Sequence, residues 1–233
     1  MTLAEAIDGF SRETGRVASP DAASAHSDSI ELLKDYLSAR PAVAVNWSMP
    51  AVLRDFLSRF YIEATATREE LPLPPAILES LTVFLTWLDA RDQTTLEAEC
   101  SPLLHELSVT LPHALEITTA LSKHLAERGG AFSFPEFLTT FAEGGQSSYD
   151  IAVAGEGEGP GAVEGYFRVL RVEGSSAEVQ ELISEERHWP VLCPDEVARL
   201  IEPGYIVNLE IIRVEEGWQI AACGFAYPPG TDI

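Results

Sequence analysis

Cysteine is sparse in this chain, and so is positive charge. Three cysteines, Cys100, Cys193 and Cys223, occur in 233 residues, and no two form a CxxC pair. An odd, unclustered set argues against a disulfide framework and fits a reducing compartment. No spacing supplies the four clustered Cys/His ligands of a structural zinc site. Lys and Arg together number 15, against 37 Asp and Glu, for a formal net charge of −22. The deficit is even: residues 1–145 carry 10 basic and 21 acidic side chains, and residues 146–233 carry 5 and 16. Nucleic acids and anionic membranes draw much of their affinity from Lys and Arg, so both halves oppose them at long range. A run of 18 apolar residues is also missing, which leaves no membrane-spanning helix to expect. The first residues, "MTLAEAIDGFSRETG", are acidic where a secretory leader is basic and lack its continuous apolar stretch. The expectation is a soluble, cytoplasmic protein.

What is present is an ordinary globular balance, 46% hydrophobic and 22% charged, with length for one large or two modest cores. The pattern changes character near residue 144. Before it, apolar residues recur at helical spacing. A first helix is expected over Leu3–Glu13. A second starts at Ser19-Pro20-Asp21, with Pro at the first helical position, and ends before Pro41. Ser48 is placed to cap "MPAVLRDFLSRFYIEA". "PPAILESLTVFLTWLDARD" is apolar around most of its circumference and reads as a central bundle helix. Two shorter helices are expected over 96–110 and 112–127, divided at Pro112, and Ser133 would cap a last one before Gly144. About seven helices result.

Residues 144–165 are rich in Gly and small side chains and read as a linker or long loop. "GEGEGPG" within them is no phosphate loop: no Lys-Ser/Thr follows, and its acids repel phosphate. From Tyr166 onward the order is β-β-β-α-β-β. Glu215-Glu216-Gly217 marks a hairpin, and Pro228-Pro229 ends the last strand. "LIEPGYIVNLEI" resembles the turn of many small barrels, where Pro-Gly launches a long strand. The expected fold is therefore α+β. An all-helical domain (1–143) and a linker (144–165) precede a small five-stranded barrel (166–233), OB-like or SH3-like, with one short helix.

No catalytic constellation emerges. His105, His113 and His124 each have an acid nearby, but HExxH does not occur and no ExxH falls in the helical half, so no metal site is read. Cys100 and His105 do not share a helical face. In "ERHWPVLCPDE" strict alternation puts Trp189, Val191 and Cys193 on one face and turns His188 away. Cys193 precedes a helix start that could lower its pKa, which makes it the best reactive-thiol candidate. On the last strand Cys223 travels with Phe225 and is expected to be buried and slow to react, with that hairpin's outward face against helices.

Candidate binding residues are the aromatics Tyr166, Trp189, Trp218 and Tyr227, with Arg168, Arg171, Arg213 and His188. Rings and guanidiniums on a barrel surface can hold a ligand. The leading expectation is a non-enzymatic binding or adaptor protein for a protein or peptide, with no cofactor and no metal. The alternatives are a nucleic-acid-associated regulatory factor using the barrel, and an enzyme using Cys193 or a His/carboxylate site. An exposed strand edge or apolar helix leaves room for a homo-oligomer.

Overall fold

A computed structural model describes residues 3–14, 20–40, 48–68, 70–92, 94–127 and 161–233. The expected helix after Ser133 and the loop over 144–160 lie outside the described residues. The chain divides into two compact units, Met1–Pro112 with Asp232, and His113–Thr231 with Ile233.

In the first unit the helices are α1 (Leu3–Thr14), α2 (Pro20–Ala39), α3 (Met49–Asp55), α4 (Tyr61–Ala64), α5 (Pro74–Asp92) and the first half of α6 (Leu96–Glu127). Six α-helices thus precede the sheet among the described residues, not seven. Part of the difference is Pro112, which does not divide 96–127. Proline frees the carbonyl four residues earlier. For Pro102 and Pro112 these belong to Ala98 and Ser108, both exposed, where water can satisfy them. Conversely, the single helix expected over 49–64 carries a π-helical turn, Phe56–Phe60, between α3 and α4. Ser48 does stand at the N-cap, with extended backbone, but its side chain makes no capping bond. Its carbonyl accepts from Val52 N at 3.0 Å instead.

Burial follows the apolar stripes. Ile77, Leu81, Phe84 and Leu85 of α5 are buried, as its near-complete apolar surface requires. Phe84 meets Phe10 edge-on at 5.3 Å, and Tyr36 packs on Phe56 and Phe60. The widened turn also buries charge. Tyr36 Oη donates to Asp55 Oδ2 at 2.7 Å, Arg40 donates to the same oxygen at 2.6 Å, and Arg59 Nε donates to Glu63 at 3.2 Å. Burial pushes Glu63 above the usual carboxylate range, against the opposing pull of Arg59.

The second unit combines residues 113–127 of α6 with five strands, β1 (Ala162–Glu173), β2 (Ser176–Glu181), β3 (Arg187–Leu192), β4 (Ile206–Val214) and β5 (Gly217–Tyr227). A short helix, α7 (Asp195–Leu200), joins β3 to β4. β1 starts four residues before the expected Tyr166. Its first part pairs with β4 and its second with β2, so the order β1-β2-β3-β5-β4 closes on itself as a barrel. All contacts are antiparallel except the β3–β5 seam, which is parallel and only two pairs long, Val191↔Trp218 and Leu192↔Gln219. Phe167, Val169, Ala177, Val179, Val191, Leu209 and Ile211 are buried in this unit.

Beyond the short seam, α6 lies against β5. Thr118 Oγ1 accepts the Ala226 N–H at 2.9 Å while donating to the Ala114 carbonyl. Gly217 begins β5 at φ +144; a Cβ there would lie 2.5 Å from the Pro190 carbonyl oxygen, so only glycine fits this junction.

Candidate functional site

Two extra residues decide which side chains the barrel presents. In β1 the register with β2 slips between Val169 and Arg171. Leu170 is the surplus residue, and the bulge returns Arg171 to the outer face that already carries Arg168. In β3, Ala177↔Val191 is followed by Val179↔His188, so two steps on β2 meet three on β3. Strict alternation therefore fails at Trp189-Pro190. His188 turns into the core at 2% exposure with Val191, and Trp189 is 36% exposed. This reverses the expected orientation of both residues.

Directly paired residues of neighbouring strands share a face. Arg168, Gln180 and Arg187 consequently form one row across β1, β2 and β3, and Arg171 with Glu178 starts the next. Arg171 is held by Glu173 and by Glu178, and its guanidinium lies 4.5 Å from the centre of the Trp189 ring. The bond to Glu178 raises Arg171 above its ordinary pKa. Arg187 reaches the other Glu178 oxygen at 3.8 Å. Glu178, Gln180 and Arg187 were not singled out in the sequence. Their signal was the alternation of β2, which places 178 and 180 opposite the buried Ala177 and Val179.

The remaining candidates fall into separate places. His188 stacks edge-on against Trp218 at 4.8 Å and Phe167 at 5.7 Å. Its Nε2 is buried and has no hydrogen-bond partner among the described residues. Burial lowers its pKa, with Arg213 acting in the same direction and Glu186 and Glu181 against it. Arg213 pairs with Trp218 in register and lies 5.2 Å from the centre of its ring. Tyr166 and Tyr227 meet at 6.1 Å, and Tyr227 is core. The eight residues therefore form three groups: Arg168, Arg171 and Trp189 on the outer face, His188, Trp218 and Arg213 around β3–β5, and the Tyr166–Tyr227 pair.

No family model, no curated protein and no solved structure matches the chain. The chemistry of the site must be read from its own residues.

Burial pushes each thiol, Cys100, Cys193 and Cys223, up to about 11. At Cys193 this outweighs any help from the helix start. Cys223 is buried, as expected, and three residues further along β5 the Ala226 N–H meets Thr118 of α6. Among the described residues no group of three His, Cys, Asp or Glu is placed to hold a metal, and no helix is long and apolar enough to cross a membrane. A cleft of about 470 Å³ opens at the β3–β5 seam, with His124, Cys193, Glu215, Glu216 and Gln219 in its lining. Sequence reasoning missed it because His124 lies far from the strands in the chain.

Proposed function

We propose that the chain is a non-enzymatic binding protein whose second unit, an OB-type barrel, engages a protein or peptide partner. The strand order β1-β2-β3-β5-β4, the helix between β3 and β4 and the parallel β3–β5 seam support the OB type over the SH3-like one. In that fold the face of strands 2 and 3 is the usual binding surface. One observation carries the reading: this face presents a partly exposed Trp189 under Arg171, beside Arg168 and Arg187. Tryptophan and arginine are the side chains that dominate protein–protein hot spots.

The nucleic-acid alternative uses the same face. It is the weaker reading because Arg171 and Arg187 already hold Glu178, so phosphates must displace a carboxylate in a chain of net charge −22. The enzyme alternative loses support from the raised Cys193 thiol.

The test is affinity capture from the native cell with the full chain, with Trp189→Ala and Arg168→Glu variants, and with Leu73→Ser as a control in the first unit. The expected result is a defined protein retained by the wild type and the control and lost from both face variants. Binding of a labelled dT20 oligonucleotide that weakens steeply with salt and needs Arg168 would overturn the proposal in favour of nucleic acid.

A further inference from the structure

The seam cleft has a chemistry opposite to that of the Arg/Trp face. Leu192, Pro194, Val214 and Ile220 give it an apolar floor, and among the described residues no Lys or Arg lines it. Glu215 and Glu216, the turn between β4 and β5, are exposed at its edge. Among the described residues neither carboxylate belongs to an ion pair. The floor is held in place: Cys193 N donates to the Ser175 carbonyl at 2.9 Å, tying it to the β1–β2 turn, and β5 is fixed to β3 at Leu192↔Gln219. Its volume lies in the range of side-chain and small-ligand sites.

We infer that this cleft receives a Lys or Arg side chain of a basic peptide segment, the apolar floor taking the methylene stem and the Glu215 and Glu216 carboxylates the charged head. Long basic side chains bury their stems on apolar surface while the head stays at its edge. The net charge of −22 adds long-range attraction for such a segment, which raises the rate of encounter. A peptide fits better than a free polyamine, because four apolar floor residues offer more than a polyamine's bare chain can cover. The inference rests on the reading of the chain as a peptide-binding protein and adds the chemistry of the partner.

The test uses the full chain and a fluorescein-labelled hexapeptide, Gly-Leu-Arg-Lys-Leu-Gly, followed by anisotropy. The same peptide with Glu in place of Arg and Lys should bind at least about tenfold more weakly. Glu215→Gln with Glu216→Gln should lower affinity about tenfold, while the same charge removed elsewhere, Glu164→Gln with Glu202→Gln, should change it less than about twofold. Gln219→Trp, which fills the cleft, should also abolish binding; if that variant does not fold, the two glutamine pairs decide. Equal losses from both pairs would overturn the cleft in favour of diffuse charge. Competition by spermidine at the peptide's half-saturating concentration would overturn it in favour of a free polyamine. Leu73→Ser, an exposed position of the first unit, should leave hexapeptide binding unchanged. Loss of a native partner on Trp189→Ala, with no hexapeptide binding by the wild type, would retain the proposed function and remove the cleft.

Discussion

Replacing His188 with Phe should stabilise the barrel. Among the described residues the buried Nε2 atom has no partner, and the imidazole ring meets the Phe167 and Trp218 rings edge-on. An unsatisfied buried polar atom costs about 1–3 kcal/mol, and an apolar group of similar shape removes that cost. Phe keeps a flat ring for both edge-on contacts, so a gain of about 1–2 kcal/mol at pH 7.5 follows. The gain should grow in acid. Because burial lowers the folded-state pKa of His188, the unfolded chain takes up the proton first. The stability His188 contributes is therefore complete above its ordinary unfolded value of about 6.5 and is lost as pH falls from there through the lowered folded value. Within that window the slope is at most about 1.4 kcal/mol per pH unit. Glu186 and Glu181 narrow the window, and Arg213 widens it. Native-state hydrogen exchange of β4 amides reads the barrel separately from the helices. Measured from pH 7.5 to 5, the wild type should lose protection that the Phe variant keeps. A variant destabilised by more than about 1 kcal/mol at pH 7.5, or one with the wild-type slope, would show that Nε2 has a partner and refute the reasoning.

Other consequences are simpler to measure. Arg59→Met should destabilise the first unit by about 3–5 kcal/mol in urea unfolding at pH 7, because it leaves the buried Glu63 carboxylate unpaired. That loss should shrink as pH falls, since burial already favours the protonated carboxyl. Tyr36→Phe deletes a buried bond to Asp55 and should cost about 1.5–3 kcal/mol in the same assay. Glu185 sits at φ 60, so Glu185→Gly should raise the barrel's melting stability by about 0.5–1 kcal/mol; a loss would mean its side chain has a role beyond the turn. With thiols pushed to about 11, native protein at pH 7.5 should react slowly with a disulfide reagent, and the half-buried Cys193 should lead as pH rises.

Much of the fold was legible, and the failures share a cause. The span 74–92 was read to the residue because Pro74 starts it and its apolar positions are dense. The hairpin at 215–217 and the helix after Pro194 were readable from turn and cap chemistry. What failed was counting. A π turn at 56–60 and bulges at Leu170 and at Trp189-Pro190 each add a residue to a regular period, and the hydrophobic pattern does not announce them. His188 was read outward for that reason, and Arg168 and Arg171 share a face for the same reason. Pro112 misled in the opposite sense. The freed Ser108 carbonyl is exposed, so the cost of continuing the helix was smaller than the proline suggested.

The bond between Thr118 and Ala226 alters what counts as a module in this chain. Composition marks a border near residue 144, and a fragment starting at 161 would hold all five described strands. It would lack the helix that meets β5, leaving that strand's amide edge bare where the β3 seam has already ended. A bare, apolar strand edge is a template for pairing with other chains. Such a fragment should aggregate, whereas one starting at residue 113 should stay monodisperse. Inheritance or transplantation of this barrel as a working part would have to carry along a helix that, by sequence, belongs to its neighbour.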